Sequence, residues 1–210
     1  MSELADRAEV SVATVKYYLR AGLLAPGRRS GPRLATYDDA HLRRLRVVRI
    51  LREVGGIPVT ALQQIVEAVD DESKPEHEVL CLVADALTPT LADVPPDGPA
   101  RDLVDAALDR VGWTAVRPDA ADRVRLAALI SMVGGDDMLT VDRDILDYYV
   151  RLSDELCRTE RELIDKTKDR AGTLEDMIAG EVAFGEILTL LRRMGHEHYH
   201  AVARLGPGSH

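Results

Sequence analysis

Cysteine is scarce: Cys81 and Cys157 are the only two in 210 residues, far apart and outside any C-x-x-C arrangement. A disulfide scaffold, a cysteine zinc site and paired-thiol metal or redox sensing are therefore excluded. Aromatic residues make up only 4% of the chain, so the few present are those any hydrophobic core would draw on. No apolar run approaches the ~18 residues of a spanning helix. Glu3, Asp6, Arg7 and Glu9 stand where a signal peptide carries its apolar stretch, so the expectation is a cytoplasmic protein with no membrane partner. What is present, 46% hydrophobic and 30% charged residues, describes a globular chain rather than a disordered one. Its length allows one large domain or two small ones.

The formal net charge of −9 argues against a nucleic-acid partner only while the chain is treated as one object. Residues 1–54 carry eleven Lys and Arg against six Asp and Glu, a net of +5, and the rest carries sixteen against thirty, a net of −14. A small basic module followed by an acidic body fits that asymmetry.

The basic segment predicts short helices with punctuation. Leu4, Ala5 and Ala8 mark the inner side of a first helix, followed by a tight turn at Val10-Ser11. Ser11 is placed to cap a second helix from Val12 to Ala21, ended by Gly22. Val12, Val15 and Leu19 would face the core, Ala13, Thr14 and Tyr17 would point away, and Lys16, Tyr18 and Arg20 would flank them. The Gly/Pro-rich stretch Pro26–Pro32, between Leu23-Leu24 and Leu34–Tyr37, predicts a β-hairpin with arginines at its tip. Asp38 or Asp39 would cap a third helix to about Val54, and a fourth runs from about Pro58 to Val69. The stretch 70–75 reads as a linker.

Beyond it, apolar spacing predicts helices near 76–93, 99–111, 119–133, 142–168 and 173–203. In the fourth, Ile145, Tyr149, Leu152, Leu156 and Leu163 form a stripe, and in the last Leu174, Ile178, Val182, Leu188 and Leu191 do so. The expected fold is mainly all-α: a helix-turn-helix with a short hairpin wing at 1–69, a linker at 70–75, a helical dimerisation and effector domain at 76–204, and a tail at 205–210.

A helix-turn-helix sets its second helix in the major groove of DNA, with residues near that helix's N-terminus on base edges. Ala13, Thr14 and Tyr17 occupy such positions, Lys16 and Arg20 suit phosphate, and Arg28, Arg29 and Arg33 on the hairpin can grip the backbone beside it. The competing reading packs a tyrosine of the Tyr17-Tyr18 pair in the core and leaves the arginines as a solvated surface. One of the two tyrosines is expected to face inward.

The run Glu3-Leu4-Ala5, Val10 to Tyr18, Gly22-Leu23-Leu24, Arg28-Arg29, Tyr37 and Leu42 resembles the DNA-binding domain of MerR-family transcriptional regulators, in order over about residues 1–69. The resemblance implies a winged helix-turn-helix that reads an inverted repeat as a homodimer and acts on RNA polymerase at a promoter. It assigns Lys16 to phosphate, Tyr17 and Tyr18 to the family's tyrosine pair, and Arg28, Arg29 or Arg33 to the wing. With Ala13, Thr14, Arg20, Tyr37 and Arg43 these complete the expected contact set to double-stranded DNA. Three departures stand out: Ala13 replaces a frequent arginine, Leu19 replaces a frequent glutamate, and Pro75 interrupts the long coiled-coil helix that commonly follows residue 69. Dimerisation is therefore expected to use other helices, and the last two loosely resemble those of TetR-type regulators.

A helical body this large exceeds what dimerisation needs, which leaves room for a small organic effector. Trp113, Met132, Met138, Tyr148, Tyr149, Met177 and Phe184 are candidate linings, each equally suited to an ordinary core. His196-Glu197-His198-Tyr199-His200 satisfies the H-E-x-x-H pattern of zinc hydrolases. Ala203 and Gly206 fail its metzincin continuation and no third ligand is evident beyond His210 or a distant carboxylate, so neither a catalytic residue nor a cofactor is expected. The rival to a ligand-responsive regulator is an architectural or recruitment factor whose acidic helices bind a protein.

Overall fold

Capping and turn residues divide the N-terminal stretch into short elements, and the computed structural model, which describes residues 1–29, 35–88, 98–133 and 141–205, shows them in sequence. Helices α1 (Ser2–Arg7) and α2 (Val12–Arg20) precede strands β1 (Arg28–Arg29) and β2 (Ala35–Thr36), then helices α3 (Asp39–Glu53) and α4 (Val59–Asp70). The strands pair antiparallel, Arg28 opposite Thr36 and Arg29 opposite Ala35. Asp38 caps α3: its carboxylate accepts from the His41 amide at 3.2 Å, and His41 Nδ1 accepts from the Asp38 amide at 3.3 Å. The fold is the mainly α-helical one with a small β wing that the sequence predicts.

Apolar periodicity gives these elements a common interior. On α4, Leu62, Ile65, Val66 and Val69 are buried at i, i+3, i+4, i+7 spacing. Leu42, Leu45, Val48 and Leu51 on α3, Leu4 and Ala5 on α1, and the connector residues Leu23, Leu24 and Ile57 are buried with them.

The last helix, α9 (Arg170–Leu205), belongs to this unit. Leu174, Ile178 and Val182, one turn apart, are buried where α9 packs on α3 and α4. This departs from the expectation of one continuous body at 76–204. Residues 168–205 fold with the N-terminal segment and residues 71–167 form the second unit, because the apolar stripe at the start of α9 meets that of α3.

The second unit holds α5 (Glu76–Leu87), α6 (Pro99–Val111), α7 (Ala121–Val133) and α8 (Arg143–Glu162). Its core joins Val104, Ala107 and Leu108 of α6, Ala127 and Ile130 of α7, and Leu146 and Val150 of α8. Here the expected face of α8 is corrected. Leu146 and Val150 point inward, whereas Ile145, Tyr149 and Leu152 are 38%, 46% and 37% exposed. Both stripes have helical spacing, and only tertiary packing chooses between them.

The α1–α2 turn carries the one backbone cost among the described non-glycine residues, Glu9 at φ 54. A side chain in this left-handed region costs about 1–2 kcal/mol, and glycine avoids it. We expect Glu9→Gly to raise stability by about 1 kcal/mol in urea denaturation; a loss would mean that the ion pair of Glu9 with Arg49 outweighs the strain.

Candidate nucleic-acid interface

The turn between α1 and α2 is built from backbone bonds and two arginines. The Val10 amide donates to the Ala5 carbonyl at 3.0 Å, and Ser11 Oγ accepts from the Thr14 amide at 3.0 Å to start α2. From α3, Arg46 donates to the Arg7 carbonyl at 3.1 Å and Arg49 to the Ala8 carbonyl at 3.2 Å. These carbonyls end α1 and lack intrahelical donors. An arginine in an amphipathic helix reads as a solvated group, so the sequence did not single out this latch.

On α2, Val15 is fully buried and Tyr18 is 5% exposed. Ala13, Lys16, Tyr17 and Arg20 are exposed, and their i, i+3, i+4, i+7 spacing puts them on one face. Tyr17 and Tyr18 thus diverge, with ring centroids 5.7 Å apart at 50°. Burial pushes the Tyr18 phenol up, and the negative charge of Glu53 adds to the effect.

The wing starts eight residues after α2. Arg28 and Arg29 are exposed on β1, and Thr36 donates its hydroxyl to the Arg28 carbonyl at 3.2 Å. At its base Gly27 lies under the Tyr37 ring, which meets His41 edge-on at 5.2 Å. A Cβ on Gly27 would sit 2.8 Å from the Thr36 carbonyl oxygen and 2.9 Å from the ring. Gly27→Ala should move the wing and weaken DNA binding by about tenfold, about 1.4 kcal/mol, with far-UV circular dichroism unchanged. Undiminished affinity would show that wing placement is immaterial.

An exposed basic and aromatic helix face followed by an arginine-bearing hairpin is the arrangement of a DNA reader. Residues 1–69 match the model of the MerR HTH family regulatory proteins. A crystal structure of SCO5550 from Streptomyces coelicolor A3(2), a candidate transcriptional regulator, matches with a TM-score of 0.71 and 30% identity over 95% of each chain. The chain belongs to the MerR family. The nodulation protein NolA of Bradyrhizobium sp. (strain NC92) is 32% identical over 130 residues, 56% of this chain, and the chain spans about half, 53%, of NolA's length. Membership identifies residues 1–69 as the family's DNA-binding module.

Within the MerR module the expected contact residues separate by position. Lys16, Tyr17, Arg20, Arg28 and Arg29 are exposed, as is the small side chain of Ala13. Thr14 is half-buried and its hydroxyl lies 2.8 Å from Ser11 Oγ, which engages it in the helix start. Tyr18 is a core residue and not a flanking one, because Val15 and Tyr18, three apart, take the inward face that Val12 and Leu19 only share. Tyr37 supports the wing, and Arg33 lies outside the described residues. Arg43 turns to α9: its Nε is 3.7 Å from Glu175 and Nη2 is 3.9 Å from Asp169. Its neighbour Arg44 donates from Nε to Glu175 at 2.6 Å and from Nη2 to Asp70 at 2.6 Å. Charge on α3 therefore serves the interior of the module.

The candidate effector residues of this MerR protein do not converge. Trp113 is half-buried beside the second unit's core. Tyr148, Tyr149 and Met132 are 59%, 46% and 60% exposed, Met177 and Phe184 sit on α9 in the first unit, and Met138 lies outside the described residues. Aromatic residue type marked them, and type alone does not fix which helix face they take. His196, Glu197 and His200 are exposed on α9, and among the described residues no three His, Cys, Asp or Glu side chains are grouped to hold a metal. His210 and Gly206 lie outside the described residues.

Proposed function

We propose that this MerR-family protein is a homodimer that reads an inverted-repeat promoter site with the α2 face and the wing, acts on RNA polymerase there, and responds to a small organic ligand. The observation that carries DNA reading is the exposed set Ala13, Lys16, Tyr17 and Arg20 on one side of α2, together with Arg28 and Arg29 of the wing. Lys16 and the arginines suit phosphate, and Tyr17 suits base edges.

Support for the dimer comes from the far half of α9. This 36-residue helix is about 54 Å long, and its packing on α3 and α4 uses residues up to Val182. Beyond, Ile187, Leu191 and Met194 are 49%, 56% and 56% exposed at helical spacing, with Val202 eight residues further on. A second copy of α9 would cover this stripe, and a two-fold dimer matches the symmetry of a palindromic site. It also accounts for the absence of a long helix directly after residue 69: the dimerising helix comes at the end of the chain instead.

The test is fluorescence anisotropy over a salt series with the DNA upstream of the protein's own gene, beside sedimentation of wild type and of Ile187→Glu/Leu191→Glu. Specific binding that falls steeply with salt, and a dimer that the double variant turns into monomer, are the expected results. No binding at low salt would overturn DNA reading in favour of the protein-recruitment role, and a variant that stays dimeric would overturn the α9 interface.

A further inference from the structure

The structure assigns an effector site to the second unit: a cavity of about 630 Å³ among α5, α6, the α6–α7 connection and the start of α7, shaped for an uncharged ring compound. This deepens the ligand-responsive part of the function proposed above and rests on it. The volume lies within the range of about 300–1,000 Å³ that holds drug-sized ligands.

The walls argue for the class. Val104, Leu108, Val116 and Leu126 line the cavity and also belong to or pack against the hydrophobic core, so the recess is cut into apolar material. Trp113 lines it too, and its indole N–H is committed to Asp154 at 3.0 Å, which leaves the ring to apolar contact. The charged wall residues are two acids and two bases: Asp85, Arg117 and Arg123 stand in ion pairs, and Asp122 is exposed. Asp85 accepts from Arg117 Nη2 at 2.8 Å and from the Ala121 amide at 3.3 Å. Arg123 donates to Asp105 at 2.8 Å and to the Val116 carbonyl at 3.0 Å, and Asp122 accepts from the Thr88 hydroxyl. A charged ligand would meet no unpaired counter-charge on the wall other than the solvent-exposed Asp122, and burying an unpaired charge is costly.

Arg117 is fixed in the wall by Asp85, both of whose carboxylate oxygens accept from its Nη2. The rings of the ligand fill the space over Leu108 and Leu126.

Trp113 is the only tryptophan in the chain, so its emission reports on the cavity directly. The full-length protein should be titrated with Nile red, an uncharged ring compound with a carbonyl, and with 1-anilinonaphthalene-8-sulfonate and tetraphenylphosphonium as anionic and cationic comparators. We expect one Nile red per chain, quenched Trp113 emission, and weaker binding of both ions. Ala84→Phe fills the cavity and should abolish the quenching with no fall in Tm. Nile red that binds Ala84→Phe as tightly as wild type, or an ion that binds tighter than Nile red, overturns the site or its class. DNA affinity is measured in parallel with and without probe. Cavity binding that leaves DNA affinity unmoved would sink the ligand-responsive reading and keep the site, whereas DNA binding without cavity binding would do the reverse.

Discussion

Glu175→Ala should destabilise the protein by about 3 kcal/mol and lower Tm by about 12 °C, whereas Glu175→Gln should cost nothing at neutral pH. Glu175 is 4% exposed and joins α9 to α3 through Arg44, itself clamped on its other side by Asp70. Alanine removes buried methylenes and leaves the Arg44 Nε–H without its acceptor; the second loss alone is worth about 1–3 kcal/mol. Glutamine keeps an acceptor of the same reach. Burial pushes the Glu175 carboxyl above its ordinary range, more than the hydrogen bond and charge of Arg44 and the charge of Arg43 pull it down. Burial also opposes the charge on Arg44, but Asp70 and Glu175 outweigh it and keep the guanidinium ionised. The sign of the pH effect follows. A raised carboxyl pKa means that the native state holds this proton more tightly than the unfolded chain does. The contribution of Glu175 is then fully present below its unfolded value of about 4.3 and is lost as pH rises through the folded one. Urea denaturation from pH 4 to 7 should therefore show Glu175→Gln gaining on wild type as pH rises. If Gln is as damaging as Ala, the carboxylate's charge holds α9 in place and this account is wrong.

The same pair shows where the sequence was legible and where it was not. Ser11 and Asp38 were readable as caps because a cap and the amide it accepts from lie three residues apart. The Leu174, Ile178 and Val182 stripe was readable as one helix face for the same local reason. Its partner was not: Arg44 and Glu175 are 131 residues apart, and no local rule connects them. Assigning α9 to the body it follows in the chain was thus a default of sequence order. On α8 the ambiguity was of another kind. Ile145 and Leu146 are adjacent, each begins an apolar stripe, and only the core formed by α6 and α7 decides which faces inward. For the DNA face the helix and wing were legible from caps and turn residues, while Tyr18 and Arg43 were misplaced because Tyr and Arg tolerate either surface or interior. Of the cavity lining only Trp113 stood out in the sequence, because the rest is small aliphatic and polar residues drawn from four stretches of chain.

Arg28→Ala/Arg29→Ala should weaken every DNA duplex alike, by about sixtyfold at 0.1 M salt, and reduce the salt slope by about two. Each phosphate contact contributes about 0.9 to the slope of log K against log salt, which is about eightfold in affinity at 0.1 M. Both side chains are exposed on a strand of two residues whose pairing rests on backbone and the Thr36 hydroxyl, so their removal leaves the wing's own bonds intact. Tyr17→Ala is the contrasting case. The ring is 44% exposed on the α2 face and carries no charge, so its loss should leave the salt slope unchanged and alter preference among sequences instead. Lys16→Ala should behave like one wing arginine. Thr14→Val should change little, since the threonine hydroxyl already lies against Ser11 at the start of the helix. Anisotropy against a library of site variants at several salt concentrations separates these outcomes. A Tyr17→Ala loss that is uniform across the library, or wing variants with an unchanged slope, would break the division between a helix that reads and a wing that holds.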